Sequence, residues 1–185
     1  MSKKSDTNLS RFISLILRHR PEEIGIALDK AGWADTKELI EGINKSGEYI
    51  DMEALERIVR EDSKGRYSFN EDKSKIRANQ GHSIPVEVEM PVTPPPEKLY
   101  HGTAERFLDS IRCDGIRKMS RLYVHLSPDA DTAFKVGSRH GKPVVLVIDT
   151  AAMLSDGYVF RLSENGVWQS DDIPWRYVCE VRTKE

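Results

Sequence analysis

The residues in this sequence best suited to chemistry are arginines and histidines, and they come in short groups. Arg18 and His19 end the apolar run LILRH, directly before Arg20 and Pro21. Arg66 stands in SKGRYSF, and Arg77, Gln80, His82 and Ser83 crowd into IRANQGHS around Gly81. Further along, His101, Gly102 and Thr103 follow one another in YHGT, and Arg121, His125, Leu126 and Ser127 fall within SRLYVHLS. Arginine keeps its charge and offers a planar fork that matches a phosphate, and histidine titrates near neutrality. These types point to an anion site, with phosphate the best match. A simpler account exists for Arg18 and His19: the carbonyl end of a helix attracts cations, by about 0.3–1 kcal/mol each. That accounts for a basic residue but not for His19, which the helical spacing places at the edge of the apolar stripe. Gly81 and Gly102 would each let a backbone approach a ligand closely.

Other chemistries find no support. His82, His101, His125 and His140 are too scattered for a metal site, and neither a Walker loop nor a glycine-rich dinucleotide turn is present. The two cysteines, Cys113 and Cys179, have no zinc or redox spacing and read as free thiols of a reducing compartment.

The elements that must position these groups follow from periodicity. Leu9, Phe12, Ile13 and Ile16 predict an amphipathic helix over 8–19, stopped by Pro21. Asp35 and Glu38 form a capping-box pattern before a second helix, and Asp51 caps a third, MEALERIVRE. Tyr67 and Phe69, then Ile76 and Ala78, alternate as a hairpin. Gly65, beside Arg66, is expected to loosen the hairpin entry. Five prolines in SIPVEVEMPVTPPPEK (83–98) mark a boundary between lobes spanning 1–90 and 91–185. The second lobe reads as α+β: strands at KLYHGT, RLYVHLS, PVVLVID, YVFRL, NGVWQ and RYVCEVR, and helices at AERFLDSIRCDGI and DADTAFKVGSRHG. Gly115 suits the helix C-terminus.

Composition narrows the partner class. The chain of 185 residues is 38% hydrophobic and 31% charged, with formal net charge −2. Neither half is basic, so attraction to a polyanion must come from local arginine clusters. No apolar run approaches the roughly 20 residues that cross a bilayer, and MSKKSDTN lacks the apolar core of a signal peptide. A cytoplasmic monomer with no membrane partner is expected.

Taken together, LSRFISLILRH, GWADTKELI, KGRYSF, IRANQGHS, LYHGT, FLDSIRCDGI, YVHLS, KVGSRHGKPVVL and ENGVW resemble the RNA 2′-phosphotransferase family of bacteria and of eukaryotic tRNA splicing. The resemblance runs from about Leu9 to Val178. It implies an N-terminal winged-helix lobe that binds RNA and a C-terminal ADP-ribosyltransferase-like lobe that binds NAD. It also implies removal of an internal RNA 2′-phosphate, as in tRNA splicing or RNA repair, with NAD consumed as co-substrate, nicotinamide and ADP-ribose 1″,2″-cyclic phosphate released, and no metal. The family's catalytic Arg-His-Arg-Arg set falls on Arg18, His19, Arg66 and Arg121. Its NAD site falls on His101, Gly102, Thr103, His125, Leu126 and Ser127. Arg77, Gln80, His82 and Ser83 are further candidates for contact with a tRNA-like RNA. Many protein ADP-ribosyltransferases place an acid where this chain has Val167, with Glu164 nearby. A phosphate monoester is already anionic near neutral pH and needs no such base. Two other readings stay open: a non-catalytic winged-helix binder, which MEALERIVRE is too evenly charged to favour, and ADP-ribosyl transfer to terminal phosphates of RNA, DNA or small phosphorylated molecules.

Overall fold

The computed structural model describes residues 3–183. Met1 and Ser2 of the polar segment MSKKSDTN, and Lys184 and Glu185 at the end of the expected second lobe, lie outside the described residues. The chain divides into two compact units, with the boundary in sequence between Glu89 and Met90. Among the described residues there are six α-helices and three sheets of three strands each, a mixed α+β architecture. No helix among them is long and apolar enough to cross a membrane.

The first unit opens with α1 (Lys3–Arg18), which buries Leu9, Ile13, Ile16 and Leu17 in one stripe. This helix begins earlier than its apolar periodicity predicts. Asp6 explains part of that extension, because its carboxylate meets Arg57 at 3.2 Å and ties the polar first turns to the protein. The helix ends at Arg18, one residue before the expected His19. A 3-10 turn follows at Pro21–Ile24. Asp35 accepts from the amides of Lys37 and Glu38 and starts α2 (Thr36–Lys45). Asp51 accepts from the Ala54 amide and starts α3 (Met52–Glu61). Each cap satisfies amides that have no partner within the helix.

The sheet of this unit contains one strand that the hairpin pattern does not foretell. Trp33–Asp35, as β1, pairs antiparallel with β3 (Lys75–Ala78), which also pairs with β2 (Tyr67–Phe69). The register sets Tyr67 against Ala78 and Phe69 against Ile76, as the alternation requires. Gly65 closes the hairpin entry rather than loosening it. Its φ of 52° is left-handed, and its amide donates to the Asp62 carbonyl at 2.8 Å. Glycine adopts that backbone at no steric cost.

The second unit is built on two sheets. In one, β6 (Pro143–Asp149) lies between β4 (Lys98–Ala104) and β9 (Val178–Thr183). In the other, β8 (Trp168–Ser170) lies between β5 (Val124–Leu126) and β7 (Arg161–Leu162). Helix α4 (Leu108–Asp114) ends at Gly115, and α5 (Ala130–Gly137) is capped by Asp129. The unbroken apolar run of β6 reflects two covered faces. Val144, Leu146 and Ile148 join a core with Leu99, Met153 and Phe160, while Val145 packs with Ala133 and Phe134 of α5. A further helix, α6 (Thr150–Ser155), which the periodicity does not foretell, follows β6 and is capped by Asp149 through the Ala152 amide.

Helix α5 lies so close to β4 that Gly102 has no room for a side chain. A Cβ there would fall on the Ala133 carbonyl, and one at Gly137 on the Thr103 carbonyl oxygen. Packing of the helix on the strand therefore accounts for Gly102. Gly102→Ala should lower stability by about 1–3 kcal/mol through overpacking, read as a reduced urea midpoint. Gly157→Ala, at a φ of 85° with open space around it, should cost only about 1 kcal/mol of backbone strain. Equal midpoints for the two variants would contradict a tight strand–helix approach.

Candidate functional site

In the first unit, the loop after β3 binds two separate segments. At its start, the Asn79 amide donates to the Arg66 carbonyl at 2.9 Å, and the Asn79 side-chain amide donates to the Gly65 carbonyl at 2.8 Å. At its end, the Ser83 amide donates to the Arg18 carbonyl at 3.0 Å, and Ser83 Oγ lies 2.8 Å from His19 Nδ1. Between them, Gly81 takes a φ of 91° with the Arg18 guanidinium beside it, 3.6 Å from where a Cβ would stand. The loop thus connects the backbone at Arg66 to Arg18 and His19. Those three sequence-predicted residues, and the IRANQGHS candidates, belong to one neighbourhood.

Arg66 and Arg77 each have a support. The Asp62 carboxylate receives both the backbone amide and the guanidinium of Arg66, each at 2.5 Å, and its side chain is 5% exposed. The Arg77 guanidinium lies 4.5 Å above the Trp33 ring, a favourable cation–aromatic geometry. Arg20, at the exposed surface, pairs with Glu23 at 2.8 Å. His19 is exposed, and Gln80 is half-buried. His82, offered as an RNA contact, is buried instead, at 2% exposure. Burial pushes its imidazole down to about 4, and the charges of Arg18, His19 and Arg77 add to the shift. It is a neutral ring under a group of cations.

In the second unit, Arg121, His125 and His101 form a chain of contacts. Arg121 donates to His125 Nδ1 at 3.1 Å. His101 Nδ1 donates to the His125 carbonyl at 3.1 Å, which places its proton on Nδ1 and leaves Nε2 as an acceptor. Burial pushes the His101 imidazole down, the bond to His125 opposes this, and the Arg121 charge adds to it. The protein packed around Arg121, and then the nearby charge of Arg139, lower the Arg121 guanidinium from its usual value. Ser127 fixes the end of β5 to β4 through paired backbone bonds with Tyr100, of 3.0 and 2.7 Å. Leu126 and Thr103 are buried, at 2% and 6% exposure. Val167 is half-buried and Glu164 exposed.

Sequence reasoning missed Asp62 and Arg139. An Asp four residues before Arg66 was a readable signal; the proximity of Arg139 to Arg121 needed the fold. Cys113 and Cys179 are both free. No group of three or more His, Cys, Asp or Glu among the described residues is placed to hold a metal ion.

The chain is similar to proteins of one family over most of its length. Residues 4–172 match the model of a family described as "RNA 2'-phosphotransferase, Tpt1 / KptA family". A protein of Fusobacterium nucleatum, described as "Probable RNA 2'-phosphotransferase", is 60% identical over 175 residues, covering 94% of this chain and 98% of its own. Proteins of the same description from Flavobacterium johnsoniae and Hahella chejuensis are 51% identical over 178 residues and 46% over 183, covering 98% of each relative.

The buried His82 gives a pH signature. Its folded value lies below the ordinary 6.5, so the unfolded chain binds the extra proton. Its contribution is complete above about 6.5 and is lost as pH falls towards 4, by at most about 3 kcal/mol. Urea unfolding of wild type and His82→Gln at pH 4.5 and pH 7 should show a smaller acid-side loss in the variant. Parallel losses would mean that His82 is not held neutral.

Proposed function

This chain belongs to the RNA 2′-phosphotransferase, Tpt1 / KptA family, and we propose that it removes an internal 2′-phosphate from RNA with NAD as a consumed co-substrate. On this reading the first unit is a winged-helix lobe that holds RNA, its three helices followed by the β2–β3 hairpin. The second is an ADP-ribosyltransferase-like lobe that holds NAD. The observation that carries the proposal is the loop from Asn79 to Ser83, which bonds the backbone of Arg66 at one end and of Arg18 at the other.

NAD supplies an ADP-ribosyl group: the 2′-phosphate oxygen bonds to C1″ as nicotinamide leaves, and the 2″-hydroxyl then displaces the RNA 2′-oxygen from phosphorus. The products are nicotinamide, ADP-ribose 1″,2″-cyclic phosphate and RNA with a 2′-hydroxyl, which carries away the proton of the 2″-hydroxyl. Arg18 and Arg66 hold the 2′-phosphate, which must approach a ligand that is itself anionic. Cations fixed in advance lower that repulsion without reorganising during the reaction. Asp62 keeps the Arg66 fork in place. His19, held at Nδ1 by Ser83, binds the phosphate when charged or assists the second proton transfer.

The second unit fits NAD on two counts. Arg121 with Arg139 nearby suits a pyrophosphate. The neutral His101 ring, with its tautomer set by the His125 carbonyl, presents Nε2 as an acceptor for a ribose hydroxyl. Arg77, Gln80 and Ser83 contact RNA backbone, and buried His82 supports their loop.

The test combines protein, NAD and an oligoribonucleotide with one internal 2′-phosphate. Release of nicotinamide and the cyclic phosphate is expected, with Arg18→Ala and Arg66→Ala each losing at least about 100-fold. No release would sink the proposal. If a terminally phosphorylated strand is ADP-ribosylated instead, the acceptor is the terminal phosphate.

A further inference from the structure

A polar groove in the first unit extends from Arg66 to residues with no assigned role. Thr7, Ser10, Arg11 and Ser14 form one wall. Their spacing of three and four makes them neighbours on one face of α1, and the next step of that stripe is Arg18. The end of α3, with Glu61, forms the opposite wall, Arg66 completes the lining, and the cavity is about 480 Å³. That lies within the roughly 300–1,000 Å³ of small-ligand sites.

The charges of the groove restrict its occupant. Asp6 is tied to Arg57 and Asp62 to Arg66, so two of the three lining carboxylates already face a cation. Arg11 and Glu61 are the remaining lining charges, one of each sign. A polyphosphate would meet too little positive charge. A group with one negative charge and neighbouring hydroxyls matches better. The hydroxyl wall has a defined polarity. Tyr67 donates its proton to the Ser10 carbonyl at 2.5 Å. Ser14 Oγ, 2.7 Å from the Tyr67 oxygen, must therefore donate to it and has lone pairs left to accept. An acceptor at Ser14 and a carboxylate at Glu61 suit a ligand hydroxyl that donates.

We propose that this groove holds the ribose and phosphodiester of the nucleotide flanking the 2′-phosphorylated one. Arg11 pairs with the phosphodiester, and Ser14 and Glu61 accept from the ribose 2′-hydroxyl. The inference rests on the reading that Arg18 and Arg66 hold the 2′-phosphate, because Arg66 and Arg11 line the same groove and a strand held at Arg66 then meets Arg11. It assigns the distinction between RNA and DNA next to the reacting nucleotide to this groove, since only ribose carries that hydroxyl.

The experiment measures binding without NAD, so it does not depend on turnover. A labelled oligoribonucleotide with one internal 2′-phosphate is compared with the same strand carrying deoxyribose at the flanking positions, by fluorescence anisotropy. Wild type should bind the all-ribose strand about tenfold more tightly. Arg11→Ala should weaken that strand by about tenfold and reduce the salt slope of binding by about one. Ser63→Trp, an exposed groove residue replaced by one that fills it, should bring the ribose-to-deoxyribose ratio close to one. Unfolding midpoints identify any misfolded variant, and the wild-type comparison of the two strands stands without either. Equal wild-type binding of the two strands, or folded variants that keep both the wild-type affinity and ratio, would overturn the proposal. Wild type that binds with the expected ratio but releases no nicotinamide when NAD is added would refute the phosphotransferase reading and leave the groove assignment standing.

Discussion

The first unit's cation cluster depends on one backbone hydrogen bond, from the Ser83 amide to the Arg18 carbonyl. The last carbonyls of a helix have no partner within it, and α1 ends here because Pro21 disfavours helical backbone in the residue before it. The returning loop supplies the missing donor. In doing so it brings Ser83 to His19 and Gly81 to the Arg18 guanidinium. Charges gathered in this way repel one another, and the surrounding residues offset that in different ways. Asp62 neutralises Arg66, and the Trp33 ring lies under Arg77. His82 contributes no charge near neutral pH, because burial keeps its imidazole unprotonated. These contacts lower the repulsion among the arginines gathered around the loop.

The second unit relies on close approach instead of charge pairing. Gly102 on β4 and Gly137 on α5 let strand and helix backbones touch where any side chain would collide. The helix is thereby fixed on one face of β6 while the hydrophobic core occupies the other. With β4 held in this way and tied to Ser127, His101 reaches the His125 carbonyl. The tautomer of this half-buried imidazole is set by that carbonyl, on a strand held by close helix packing.

How much of this was legible depended on whether the signal was local. Asp35 and Asp51 announced their helices because a cap is made within a few residues. The alternation of Tyr67, Phe69, Ile76 and Ala78 gave the hairpin register because strand periodicity is short. Strand β1 was not legible: three residues, Trp33 to Asp35, carry too little pattern, and their pairing with β3 is long-range. Gly102 and Gly65 illustrate a second limit. Sequence shows that a side chain is absent but not what fills its place, and here the answers were a packed helix and a left-handed turn. His82 shows a third. A polar loop reads as exposed, yet this ring is buried among cations because the loop folds back onto the helix end.

On the proposed reading, the character of the phosphate site in the first unit follows from the acid placed beside its arginines. Asp62 lies beside Arg66 but is spent on it, taking both its amide and its guanidinium. Both of its oxygens are engaged by that one arginine. Such a site gives no help to an alcohol or an amide, which must lose a proton to attack. It does favour a nucleophile that arrives already ionised, and a phosphate monoester carries close to two negative charges at neutral pH. The arginines then have two effects at once. On the proposed mechanism they would draw the acceptor in and reduce its repulsion from a second anion, without removing the lone pair that must form the new bond. Arginine suits this balance better than a protonated acid would, because its proton cannot transfer to the nucleophile and quench it.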